Sequence, residues 1–296
     1  MLPNFVIIGA AKAGTTSLYY YLKQHPEVYV SSVKEPRFFA LENETLNFQN
    51  PDQGINETSV TSLETYKQLF DGVTQEAAIG EASPLYLYSP KAVERIKHYI
   101  PNAKLIVILR NPVERAYSCY THLIREGFET LSFREALEEE KKRIQKNWAH
   151  LWHYQTAGYY HEQLKRYFDT FDRNQIKVYL YEDFNTYSIA IVQDACRFLG
   201  VDDTFVPELT RMNVSGVPKI RFLQTLLGTG NTLRKILKAI LPKGFRKDVA
   251  QRLRKWNLEK RMQISEIDRA YLINEFREDI LKLQNLIDRD LSAWLK

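Results

Sequence analysis

The chain has 296 residues, 44% hydrophobic and 26% charged, which suits one large α/β core and excludes a disordered or fibrous protein. It has no 18-residue apolar stretch, and its longest early apolar run, Phe5 to Ile8, is too short for a signal-peptide core, so a soluble, cytoplasmic protein is expected. The net charge of +5 hides an asymmetry: Arg211 to Lys296 carries 19 Lys and Arg against 9 Asp and Glu, and residues 1–210 carry 22 against 27.

Such a basic C-terminal third suits an anionic partner or a solvated helical face. Nucleic acid is not expected, because the basic residues are not interleaved with stacking aromatics. Cys119 and Cys196 lie in helix-like stretches without C-x-x-C spacing and read as buried thiols.

Short apolar runs alternate with helix-period segments, the pattern of β-α units around a parallel sheet. FVIIG (Phe5 to Gly9) is the first strand, and TTSLYYYLKQ from Thr15 is the first helix. Between them runs G-A-A-K-A-G-T-T-S, Gly9 to Ser17. The backbone N–H groups of Ala13 to Ser17 should converge at the helix N-terminus as an anion cradle. The alternative is a tight glycine turn that packs helix on strand. Gly9 and Gly14 have the spacing of the nucleotide loop G-x-x-x-x-G-K-[ST], but Thr15 stands where its lysine belongs and the lysine is Lys12.

VYVS (Val28 to Ser31) is the second strand. Leu41 to Ser62, rich in Asn, Thr, Gln and Gly, reads as a long surface loop and a lid or substrate wall. AAIGE (Ala77 to Glu81) and the helix SPKAVERIKHYI lead to KLIVILR (Lys104 to Arg110), apolar on both faces as a central strand must be. It ends in Arg110, where P-loop NTPases place a magnesium-holding Asp. An arginine at the carboxyl end of such a strand can clamp a second phosphate bidentately. Ser118, about two turns along the helix that Pro112 starts, can add a hydroxyl. The sequence thus offers two separated anion sites and no evident metal site.

SFREALEEEKKRI begins with a capping box, Ser132 with Glu135. GYYHEQLKRYFDTF, the strand IKVYLY (Ile176 to Tyr181) and the helix SIAIVQDACRFLG, stopped by Gly200, follow. After Val201 the strand signals end. Residues 203–296 are expected to form a basic, helical lid over an α/β core of residues 1–202, with a terminal helix from about Ser265 to Leu295. Within it, 232–255 is amphipathic and basic, suited to a membrane surface, an acidic protein or its own core.

The segments G-A-A-K-A-G-T-T-S-L, K-E-P-R-F-F (Lys34 to Phe39), G-E-A-S-P (Gly80 to Pro84) and L-R-N-P-V-E-R-A-Y-S (Leu109 to Ser118) occur in that order. G-Y-Y-H-E-Q-L, L-Y-E-D-F and R-F-L-G-V follow, so the set covers roughly residues 4–202. Together they resemble the sulfotransferases that use 3′-phosphoadenosine 5′-phosphosulfate (PAPS), in the bacterial and heparan-sulfate-type branch. The resemblance implies an α/β fold with a P-loop-like central parallel β-sheet flanked by helices.

It also implies that Lys12, the backbone of Ala13, Gly14, Thr15, Thr16 and Ser17, and the Thr15 and Thr16 hydroxyls hold the 5′-phosphosulfate. Arg110 and Ser118 then hold the 3′-phosphate, and adenosine 3′,5′-bisphosphate (PAP) is the product. A transferring sulfuryl group carries less negative charge than a phosphoryl group, so transfer without a metal is expected.

By the same resemblance Glu35 is the base for a hydroxyl, or less often amine, acceptor: a glycan, lipid or carrier-bound metabolite. Its plain reading is a surface acid in a Pro turn. His122, one turn beyond Ser118, is the rival base or a packing residue. Glu81 reads as structural, Tyr159 as core or adenine-adjacent, and His25 as a residue at a helix end. Asn213, Lys219 and Arg221 are the candidates for a basic loop closing over the donor. Ala82 departs from the pattern, since heparan-type members commonly carry lysine there, which weakens the case for a strongly anionic acceptor. Two other readings stay open on the residues alone: a deviant magnesium-dependent P-loop kinase or NTPase, and a non-catalytic nucleotide-binding module.

Overall fold

The computed structural model describes residues 1–209 and 263–296, with the backbone of two short strands, Val217–Pro218 and Leu258–Glu259. Lys219, Arg221, Asn213 and the 232–255 stretch lie outside the described residues. The five expected strands form as β1 (Phe5–Gly9), β2 (Val28–Val30), β3 (Ala78–Ala82), β4 (Lys104–Leu109) and β5 (Ile176–Leu180). They pair in parallel in the order β2-β3-β1-β4-β5. Every residue of β1 and β3 is buried, as are all of β4 after Lys104, because helices cover both faces. The chain leaves β1 toward the β2 edge and leaves β4 toward β5. The ligand crevice of such a sheet therefore opens between the carboxyl ends of β1 and β4.

The contact between β1 and β3 depends on Gly80, where an added Cβ would lie 2.4 Å from the Phe5 ring. Gly80→Ala is expected to destabilise the fold by about 1–3 kcal/mol, the usual cost of overpacking a filled core. Urea denaturation reads this directly; an unchanged midpoint would mean that Phe5 yields freely.

The main helices run Thr15–Leu22, Pro90–Tyr99, Pro112–Glu126, Phe133–Gln145, Tyr160–Thr170 and Ser188–Leu199. Ser132 and Glu135 make the expected capping box, and Gly200 stops its helix at φ 84°. Asn111 starts the Pro112 helix, its Oδ1 accepting from the Val113 N–H at 2.9 Å. Both cysteines are buried and unpaired.

Three expectations change. The Leu41–Ser62 segment is no plain loop: it contains the helix Gly54–Thr58 and buries Asn50 and Ile55. Side-chain amides tie it to the 147–149 stretch in both directions: Asn50 Oδ1 accepts from the Ala149 N–H at 2.9 Å, and Asn147 Nδ2 donates to the segment's Asn47 carbonyl at 2.8 Å. His25 is buried and serves a loop instead of a helix end. Its Nδ1 accepts from the Glu27 N–H at 3.0 Å and its Nε2 donates to the Asp202 carbonyl at 2.8 Å.

The terminal helix spans Glu266–Ile287, shorter than expected, because Asp288 turns left-handed at φ 52°. One face buries Leu272, Phe276, Ile280 and Leu283 on the core. Between them Asp279 accepts from the Tyr160 and His161 N–H groups at 2.8 and 3.1 Å, capping a helix more than a hundred residues away. No described helix is long and apolar enough to cross a membrane.

Candidate active site

The buried strand β1 delivers the chain to a turn that reverses through Lys12 (φ 68°) and Gly14 (φ 95°). Such a φ suits glycine and is unusual for lysine. Gly14 caps the Thr15 helix without a side-chain hydrogen bond, so the first-turn N–H groups stay directed at the crevice. The expected five-residue cradle is narrower than the sequence implies. Ala13 donates its N–H to the Ala10 carbonyl and Ser17 donates to the Gly14 carbonyl, which leaves Gly14, Thr15 and Thr16.

Lys12 is partly buried beside this cradle. Burial lowers its pKa from the ordinary lysine value, the Arg125 and Arg110 cations push the same way, and Cys119 and Glu35 oppose them. A poorly hydrated ammonium held among cations interacts strongly with any anion that enters.

Arg110 extends from β4 into the same crevice and is 8% exposed. Its Nη1 donates to the Lys12 carbonyl at 3.1 Å, and its guanidinium lies over the Tyr181 ring at 4.7 Å. The two cation sites that the sequence separates by 98 positions are therefore joined through one hydrogen bond. Ser118 is half-buried on the Pro112–Glu126 helix, and His122 and Arg125 follow it at i+4 and i+7 on one helix face.

Glu35 sits in a tight turn, with left-handed backbone at Glu35 itself (φ 62°) and at Arg37 (φ 59°). Its carboxylate is gripped from both sides, by Lys34 Nζ at 2.5 Å and by Arg37 Nη2 at 3.1 Å. Burial alone would raise its pKa, but the Lys34 and Arg37 cations outweigh it and hold the group down to about 2. It also lies within electrostatic reach of Lys12 and His150. Strained backbone at non-glycine positions gathers at functional sites, and here Lys12 and Glu35 both carry it.

His122 belongs to this group as well. Burial, then Lys12 and Arg125, push it down to about 3, with Glu35 opposing. Arg125 Nη2 donates to His122 Nδ1 at 2.8 Å, so the ring is neutral and carries its proton on Nε2. In that state its Nε2–H is a donor and the ring is a poor base. Tyr159 is partly buried and packs against the core, its ring edge-on to Phe276 at 5.1 Å.

Sequence reasoning missed Arg125, Lys34 and Arg37. The signals were legible: Ser118, His122 and Arg125 form an i, i+4, i+7 stripe, and two cations flank Glu35 in K-E-P-R. Among the described residues no group of three or more His, Cys, Asp or Glu is arranged to hold a metal ion.

Comparison with known proteins agrees with this geometry. The profile described as the Sulfotransferase family matches residues 3–205. A crystal structure of a sulfotransferase from Alicyclobacillus acidocaldarius superposes with a TM-score of 0.79 at 37% identity, covering 100% of both chains. Among curated proteins, the membrane-associated sulfotransferase kil1 of Dictyostelium discoideum is 38% identical over 122 residues, 40% of this chain. The bifunctional heparan sulfate N-deacetylase/N-sulfotransferase 4 of Mus musculus is 28% identical over 212 residues, 68% of this chain. The matched region spans 22% of the length of each of those two relatives. With the crevice, its two cations and the full-length structural match in agreement, the chain belongs to the sulfotransferase family.

Proposed function

We propose that this sulfotransferase moves the sulfuryl group of PAPS to an acceptor hydroxyl by direct in-line displacement, without a metal ion. The observation that carries the reading is the Arg110 bridge: one guanidinium ties the strand end suited to a 3′-phosphate to the Lys12 turn suited to a 5′-phosphosulfate. A linear triphosphate needs no such second, separate cation. In this reading the N–H groups of Gly14, Thr15 and Thr16 and the Lys12 ammonium orient the phosphosulfate. Arg110 and Ser118 take the 3′-phosphate. A new S–O bond forms to the acceptor as the S–O bond to the bridging oxygen breaks. Glu35 receives the acceptor proton, and Lys12 offsets the charge left on the bridging oxygen of PAP.

The acceptor class is read as hydroxylated, with a glycan favoured by the heparan sulfate relative. That relative's name specifies N-sulfotransfer, so an amine is the second reading. Incubating the protein with labelled PAPS and a chito-oligosaccharide, which offers both hydroxyls and amines, in the presence of EDTA tests the whole proposal. The expected product carries O-sulfate by mass spectrometry, and PAP raises the melting temperature. Stabilisation by ATP and magnesium but not by PAP would sink the donor assignment, and N-sulfate would select the second reading.

Arg110→Ala is expected to weaken PAP binding about 10- to 100-fold, since a hydrogen bond to a charged group contributes roughly 1.5–3 kcal/mol. Calorimetric titration with PAP measures it. An unchanged Kd would remove Arg110 from the 3′-phosphate site.

A further inference from the structure

One fully buried carboxyl beside this site has no part in the proposed transfer. Glu81, at 0% exposure near the end of β3, accepts from the Ser83 hydroxyl at 2.8 Å and from the Tyr66 hydroxyl at 3.3 Å. Tyr86 also hydrogen-bonds to it. Tyr19 from the first helix and Glu35 from the facing turn complete the titratable groups around it. Burial pushes Glu81 up to about 7, the Tyr86, Ser83 and Tyr66 hydroxyls pull it down, and Glu35 adds to the rise.

What Glu81 holds is the more telling observation. The Ser83 oxygen, while donating its proton to Glu81, accepts from the Arg37 N–H at 3.0 Å. One residue earlier, the Ala82 carbonyl accepts from the Glu35 N–H at 3.0 Å. The two left-handed residues of the turn are thus pinned to adjacent residues at the end of β3, one through a carbonyl and one through a rotatable hydroxyl. A hydroxyl has a single proton. An acceptor-only carboxylate that takes this proton leaves the oxygen's lone pairs for Arg37.

We propose that Glu81 is a positioning residue for the acceptor-side base: it orients the Ser83 hydroxyl, which holds Arg37 and with it the ion pair on Glu35. The inference rests on the reading in which Glu35 takes the acceptor proton. It gives the buried acid a pH signature. A proton on Glu81 makes that carboxyl a competing donor to Ser83 and loosens the Arg37 contact, so transfer should rise as Glu81 ionises. Glu35 at about 2 and His122 at about 3 have both finished titrating well below that range and cannot produce such a limb.

The test compares wild type, Glu81→Gln, Ser83→Ala and Ser83→Thr between pH 5 and 9, using labelled PAPS and the chito-oligosaccharide, with sulfate release to water as the acceptor-free control. Wild type is expected to show a rising limb in kcat centred near pH 7. Glu81→Gln should lose that limb and about tenfold in kcat, with the Kd for PAP within twofold, and Ser83→Ala should match it. Ser83→Thr should restore most of the rate, and the Glu81→Gln/Ser83→Ala double variant should be no slower than the worse single one.

The Arg37 backbone amide shift, followed by NMR without turnover, should titrate in wild type with the same midpoint and stay flat in Glu81→Gln. A flat wild-type shift, or a Glu81→Gln enzyme with wild-type rate and pH profile, overturns the inference. Loss of PAP affinity in step with kcat also overturns it, as a merely structural role. A titrating Arg37 amide in a protein that transfers nothing overturns the proposed function and leaves only the Glu81–Ser83–Arg37 coupling standing, without its role toward a base.

Discussion

Replacing Lys12 with alanine is expected to lower kcat by about 10²- to 10³-fold, the usual loss when one preorganised donor to a developing oxyanion is removed. The Kd for PAP should change far less, because in the proposed reading Arg110 and the Gly14 to Thr16 amides would still hold the product. The split between rate and binding separates a leaving-group role from a simple charge contact. Lys12 is suited to that role by its burial among Arg125 and Arg110, which leaves its ammonium poorly solvated. Lys12→Arg should recover only part of the rate, since a planar fork does not reproduce a point charge in a left-handed turn. Retained transfer in Lys12→Ala, measured at saturating donor, removes the proposal.

The second large effect is on the acceptor side. Glu35→Gln is expected to lower kcat by about 10²- to 10⁴-fold, the span typical of general acid-base catalysis, with PAP affinity unchanged. Gripped by Lys34 and Arg37, Glu35 at about 2 is a weak base while both pairs are intact. In the proposed mechanism, acceptor entry must loosen at least one of them before Glu35 can take a proton. Glu35 is ionised throughout the ordinary assay range and contributes no limb there.

The linkage has a definite sign. Its folded pKa lies below the ordinary value of 4.5, so the unfolded chain binds more protons in between, and stability from this group is lost as pH falls from about 4.5 to about 2. Glu81 acts oppositely: the native state keeps its proton longer, so its contribution falls as pH rises from about 4.5 to about 7. An acid titration of Glu35→Gln against wild type reads the first of these. Full activity in Glu35→Gln rules out the base.

Strand positions were legible because β1 and β4 are buried on both faces and read as apolar runs, whereas β3 is short and carries the buried Glu81. The Arg110 strand end was legible for the same reason, since a cation that terminates such a run has no place in the core. The Leu41–Ser62 segment was misread because its buried Asn50 serves the Ala149 backbone while Asn147 serves the segment's own Asn47 carbonyl, a tertiary use that composition does not reveal. The grip on Glu35 was half legible: Lys34 and Arg37 stand beside it in the sequence, but only the left-handed turn brings both cations onto one carboxylate. The Glu81 to Ser83 to Arg37 relay reaches 46 positions from Ser83 to Arg37 through a hydroxyl rotor, and no local pattern encodes that step.

The terminal helix bears on how much chain is needed to make this enzyme. The family profile ends at residue 205, yet the Tyr160 helix takes its cap from Asp279, and a Cβ on Gly158 would lie 2.8 Å from the Phe276 ring. Leu272, Phe276, Ile280 and Leu283 are each at most 1% exposed, and burying side chains of this kind contributes about 1.5–3 kcal/mol apiece. Their sum is on the order of the 5–15 kcal/mol that separates native from unfolded states. The segment matched by the family profile therefore does not contain all of the described apolar core. A fragment cut at the family boundary would present to whatever it meets the apolar flank that the terminal helix covers.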